Sequence, residues 1–151
     1  MFSDNSIFIR LFDWPCFGGI MNSEIKRELK VFQLSDAGRI QCGFTPENKD
    51  CTVRAAALRF TTSYKRAHEL LASVGRRDKR GVKADALYKL FDIMGLPFQS
   101  PIKPQNLSQF IKHHPAGRHY VVVRGHAVCV VNGVCVDTFP PKLRARVLFY
   151  A

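Results

Sequence analysis

What the chain lacks narrows its class before any motif is read. No apolar stretch approaches the length of a membrane-spanning helix. The opening residues lack a basic start followed by a clean apolar run, because Asp4, Arg10 and Asp13 interrupt Met1 to Ile20, so they match a secretory signal poorly. No two of the cysteines Cys16, Cys42, Cys51, Cys129 and Cys135 have the CxxC spacing of a zinc or redox site. Their odd number argues against a closed disulfide framework, and a reducing cytoplasm is the expected compartment. Metal-ligand spacing, internal repeats and low-complexity tracts are absent as well. Negative charge is scarce: Asp plus Glu is 12 against 23 Lys plus Arg, a formal net charge of +11.

That surplus attracts polyanions such as nucleic acid, or acidic protein surfaces. Its one dense run, Arg76-Arg77-Asp78-Lys79-Arg80, reads as a solvated loop. The remaining composition is globular. With 151 residues, 46% of them apolar, the chain is long enough for one domain with its own core. Met21-Asn22-Ser23-Glu24 opens a more ordinary sequence, so residues 1–21 are expected to be an N-terminal appendage or an upstream start, and 22–151 a single domain. Trp14 with Phe12 and Phe17 reads either as a partner-binding patch or as a strand packed on the core.

Hydrophobic spacing predicts the elements. Glu28 to Phe32 and Gly38 to Phe44 suit short strands, followed by the polar loop 45–50. A helix is expected from Cys51, with Val53, Ala56, Ala57 and Phe60 on its buried face. Asp50 is its natural N-cap. Ser63 caps a second helix, Tyr64 to Val74, which Gly75 ends. A third helix is expected over Val82 to Met94 and a fourth over Asn106 to His113, with His113, His114 and His119 at the surface. Strands then follow at 119–124, 127–131, 134–136 and 147–150, with the hairpin turn Asn132-Gly133 between the second and third. Helices first and an antiparallel sheet after make an α+β fold. Cys129 and Cys135 fall inside apolar strands, where a free thiol behaves as a small hydrophobe.

Three residues suggest chemistry. Cys51 sits at a helix start, where the helix dipole favours thiolate and free backbone N–H groups can hold an oxyanion. His126 follows Gly125 at a strand start, with open space around its ring. Pairing about Asn132-Gly133 puts position 128 opposite 137, so Asp137 and His126 share a face as diagonal neighbours about 7–8 Å apart at Cα. A carboxylate there can reach the imidazole and fix its tautomer.

The blocks Asn48-Lys49-Asp50-Cys51-Thr52-Val53-Arg54-Ala55, Gly125-His126-Ala127-Val128, Gly133-Val134 and Asp137-Thr138 resemble papain-like cysteine peptidases. The resemblance spans about residues 45–140 and is greatest to small single-domain bacteriophage enzymes, themselves related in motif to ovarian-tumour-type deubiquitinases and C39-type peptidases. It implies a Cys51–His126–Asp137 triad that hydrolyses a peptide or isopeptide bond of a protein substrate through a thioester, without a cofactor. It makes Asn48 the oxyanion side chain beside the Cys51 N–H, and it implies a viral protein at work in a host cytoplasm. An acyltransferase on the same scaffold would differ only in its acceptor. The contrasting expectation is a basic nucleic-acid- or protein-binding module on an inactive scaffold.

Overall fold

The structure is a computed structural model that describes residues 31–45 and 49–151. The expected appendage at 1–21, with Phe12, Trp14 and Phe17, lies outside them. Among the described residues the architecture is α+β, with four helices and a five-stranded mixed sheet. No helix among them is long and apolar enough to cross a membrane.

Helix α1 (Cys51–Arg59) starts directly after Asp50. One buried face was expected, but every residue from Thr52 to Ala57 is buried. Its alanines present so little bulk that sheet and neighbouring helix close in from several sides. Helix α2 (Tyr64–Ser73) starts at Ser63, whose Oγ accepts the Arg66 N–H at 3.1 Å. It stops where Gly75 turns left-handed (φ +99°) and the Arg76 N–H returns to the Leu71 carbonyl at 3.0 Å. Helix α3 (Ala84–Ile93) buries Leu87, Leu90 and Phe91. Helix α4 (Leu107–His113) opens on a capping box, in which Asn106 and Gln109 exchange side chain to backbone bonds of 2.9 Å.

The strands are β1 (Phe32–Leu34), β2 (Arg118–Val123), β3 (His126–Val131), β4 (Val134–Asp137) and β5 (Val147–Tyr150), in the spatial order β1-β4-β3-β2-β5. Asn132 (φ +49°) and Gly133 (φ +77°) make the tight turn between β3 and β4. They set Val131 opposite Val134, Val130 opposite Cys135 and Cys129 opposite Val136, the register that a two-residue turn demands. Side-chain alternation sends Tyr120, Ala127 and Cys129 under α1, α2 and α3, and sends Val121, Val123, Val128 and Val130 under α4. The sheet is therefore packed on both faces.

Four expectations need correction. The sheet is not wholly antiparallel, because β1 returns from the N-terminal side and pairs parallel to β4. The segment Gly38 to Phe44 is not a strand. Asp36 accepts the N–H groups of Gly38 (2.9 Å) and Ile40 (3.0 Å), Cys42 N–H bonds to the Gly38 carbonyl at 3.0 Å, and this turn chemistry overrides the apolar alternation. Within the basic run, Arg76 is buried where it closes α2, while residues 77–80 are exposed. His113 is exposed as expected, but His114 stacks on Phe110 at 4.0 Å and His119 is half-buried beside it.

Candidate active site

The first turn of α1, the start of β3 and the end of β4 meet at one place. Cys51 is the first helical residue, so its own N–H belongs to the group of helix-start donors that have no partner inside the helix. Lys49, two residues earlier, holds a left-handed backbone at φ +67°, an uncommon conformation for a residue with a side chain. His126 follows Gly125, whose φ of +73° serves the two-residue turn from β2, and a Cβ added there would meet nothing within 4 Å. Asp137 is the last residue of β4, and its carbonyl accepts the Ser35 N–H from beyond β1 at 2.8 Å. Its backbone is thus pinned from the β1 side.

The three side chains interact in sequence. His126 Nε2–H donates to Asp137 Oδ2 at 2.6 Å. With Nε2 committed, Nδ1 is the ring nitrogen left to serve the Cys51 thiol, whose ionisation His126 favours. The Ala127 backbone favours the ionised sulfur as well. The diagonal relation of positions 126 and 137 across the hairpin has thus become a direct contact.

Electrostatics favour a charged pair. Burial pushes the Cys51 thiol up. The His126 and Ala127 hydrogen bonds, together with the charges of His126 and Arg54, outweigh that and hold it below its ordinary 9.0. Burial also disfavours the His126 imidazolium, yet bonding to Asp137 and Cys51 raises it from 6.5 to about 9. Burial would raise Asp137 too, but the His126 hydrogen bond, the Arg54 charge and the Thr138 N–H hold it below 3.8. Both shifts run toward thiolate beside imidazolium. Cys129 and Cys135 differ sharply, since burial pushes each up to about 12.

Behind the line stands a buried cation absent from the sequence reading of the site. Arg54 Nη1 pairs with Asp137 Oδ1, and Arg54 Nε donates to Asp50 Oδ1 at 3.0 Å. Asp50 Oδ2 accepts Arg39 Nη1 at 2.9 Å and the Tyr64 hydroxyl at 3.2 Å. Asp50 occupies the N-cap position as expected, but its carboxylate makes no capping bond, being spent on these cations instead. One signal was available: Asp50 and Arg54 stand at i and i+4 at a helix start, within an otherwise small and apolar run. Phe139 was missed as well. Its ring lies 5.0 Å from that of His126 and covers it from outside.

Asn48, the expected oxyanion side chain, lies outside the described residues. Among the described residues, no group of three or more His, Cys, Asp or Glu is placed to hold a metal ion. No family model, curated protein or solved structure matches the chain.

Proposed function

We propose that this chain is a cysteine peptidase or isopeptidase of papain-like architecture, with residues 22–151 as its domain, working in a reducing cytoplasm on a protein or peptide substrate. One observation carries the reading: the His126 ring is bonded at 2.6 Å to the buried Asp137 carboxylate while it favours ionisation of a thiol at a helix start.

In the proposed cycle the Cys51 thiolate attacks the substrate carbonyl carbon, and the carbonyl π pair moves onto oxygen. The Cys51 N–H, with Asn48, stabilises that oxyanion. The His126 imidazolium gives its proton to the leaving nitrogen as the C–N bond breaks, leaving a thioester on Cys51 and a neutral imidazole. Water then attacks the thioester and loses a proton to His126. The C–S bond breaks and the thiolate–imidazolium pair is restored. Throughout, Asp137 holds the ring tautomer and offsets its charge.

The test is the pH dependence of iodoacetamide alkylation, read at each cysteine by mass spectrometry in the parent and in His126→Ala. Cys51 is expected to react far faster than the other thiols near pH 6, and His126→Ala to abolish the advantage. A Cys51 that behaves as an ordinary thiol of pKa about 8.5 sinks the proposal. The net charge of +11 favours one second reading, a nucleic-acid-binding module. That reading requires salt-sensitive nucleic-acid binding that survives Cys51→Ala.

A further inference from the structure

A cavity of about 240 Å³ opens beside the line of three residues, on the His126 side. Val123, Val128 and Leu107 form its apolar interior, Phe139 and Ala145 its outer wall, and His126 one side. Cys51 does not line it. A larger cavity of about 920 Å³, between the β1 segment and the far half of α1, touches neither Cys51 nor His126. The smaller one thus touches the chemistry, through His126.

Its position decides which part of a substrate it can hold. In thiol acyl transfer the acyl carbon must reach sulfur, while the departing nitrogen must reach the imidazolium. The group bonded to that nitrogen therefore lies over His126 and away from Cys51. Granted the thiol acyl-transfer reading above, we infer that this cavity is the subsite for the leaving-group side of the substrate, and that it takes an apolar residue carrying a carboxylate beyond it. At about 240 Å³ it is smaller than the ~300–1,000 Å³ of pockets that enclose a whole ligand, a size that suits one side chain. The charge argument comes from its mouth. Besides the His126 ring, its charged lining residues are Arg124 and Lys142, both exposed, and no carboxylate lines it. Two cations at the rim of an apolar hole complement an anion just outside it.

The carboxylate could belong to an acidic side chain or to a chain terminus, and the experiment separates the two. Cys51→Ala protein, which cannot turn over, is titrated with phenylalanyl-glutamyl amide, free phenylalanine, phenylalanyl amide and seryl-glutamyl amide. Binding is read from the methyl signals of Val123 and Val128 and the ring signals of His126. Saturable shifts are expected from phenylalanyl-glutamyl amide if the anion is a side chain, and from free phenylalanine if it is a terminus. Phenylalanyl amide is expected to bind about tenfold or more weakly than the better carboxylate probe, as loss of charge-assisted contacts implies. Seryl-glutamyl amide is expected not to saturate. Arg124→Gln with Lys142→Gln, both at the surface, should erase the preference for a carboxylate, and Ala145→Leu should fill the cavity and block binding. Absence of saturable shifts from both carboxylate probes overturns the inference, as does binding indifferent to these substitutions. If Cys51 proves activated by the alkylation test and no probe binds, the subsite alone falls. If probes bind and Cys51 is an ordinary thiol, the acyl-transfer reading falls and takes the leaving-group assignment with it.

Discussion

Arg54 and Asp137, 83 positions apart in the chain, form an ion pair inside the molecule, and the same guanidinium also grips Asp50. The side chains of Arg54, Asp50 and Asp137 are only 8%, 3% and 2% exposed. Removing the shared cation leaves two buried carboxylates short of a partner, and breaking such a pair costs about 3–5 kcal/mol. Arg54→Met is expected to lower the unfolding free energy by that order in urea titration at pH 7. Arg54→Lys should recover only part of it, because an ammonium cannot serve two carboxylates with a planar fork. A loss below about 1 kcal/mol for Arg54→Met would mean that water or a rearranged Arg39 already serves both acids.

Under the peptidase proposal, turnover depends on His126 being protonated when the amine departs. That ring holds its proton up to about pH 9, while Cys51 ionises below its ordinary 9.0. A bell-shaped rate profile is expected for an amide substrate, with its alkaline limb near 9, the two limbs belonging to the coupled pair. Asp137→Asn keeps an acceptor for Nε2–H but removes the charge, so the alkaline limb should move toward 6.5. An unmoved limb would show that Asp137 does not set the imidazolium.

The same shift makes stability depend on pH. The folded value of His126 stands above the unfolded value of 6.5, so folding favours the protonated ring. Its contribution is complete below pH 6.5 and disappears as pH rises through about 9. The stability difference between the parent and His126→Gln should therefore shrink across that window. Urea unfolding at pH 6 and pH 10 measures it. A difference that stays constant or grows contradicts the pairing.

Gly133 supplies a backbone of φ +77° at the turn that sets the β3–β4 register, and an added Cβ would only touch Pro115 at 3.6 Å. The cost of Gly133→Ala is thus conformational, about 1–2 kcal/mol. Since the register has other supports in the packed strands, the alkylation rate of Cys51 is expected to hold while the melting temperature falls. A collapse of both would mean that the turn alone aligns Asp137 with His126.

The helices were legible because their signals are local. Ser63, Asn106 and Gly75 mark ends, and apolar stripes mark buried faces. The meeting of His126 with Asp137 was legible too, since a two-residue turn converts sequence distance into register. Arg54 was not, because its partner lies in a strand far along the chain and only tertiary packing brings them together. The parallel pairing of β1 was hidden for the same reason, as no short turn connects it to β4. The stretch Gly38 to Phe44 misled in the opposite way: its alternation mimics a strand, while Asp36 and two glycines bend it locally.

The parallel pairing of Phe32 with Cys135 has a temporal side. During synthesis Cys51 leaves the ribosome long before His126 and Asp137, and β1 waits for β4 to be made before it can pair. Until the last strands arrive, the thiol has neither imidazole nor buried cation to ionise it and remains an unactivated cysteine. Such long-range closure comes late in folding. Under the peptidase proposal, the chain thus withholds a reactive sulfur until nearly all of the molecule around it exists.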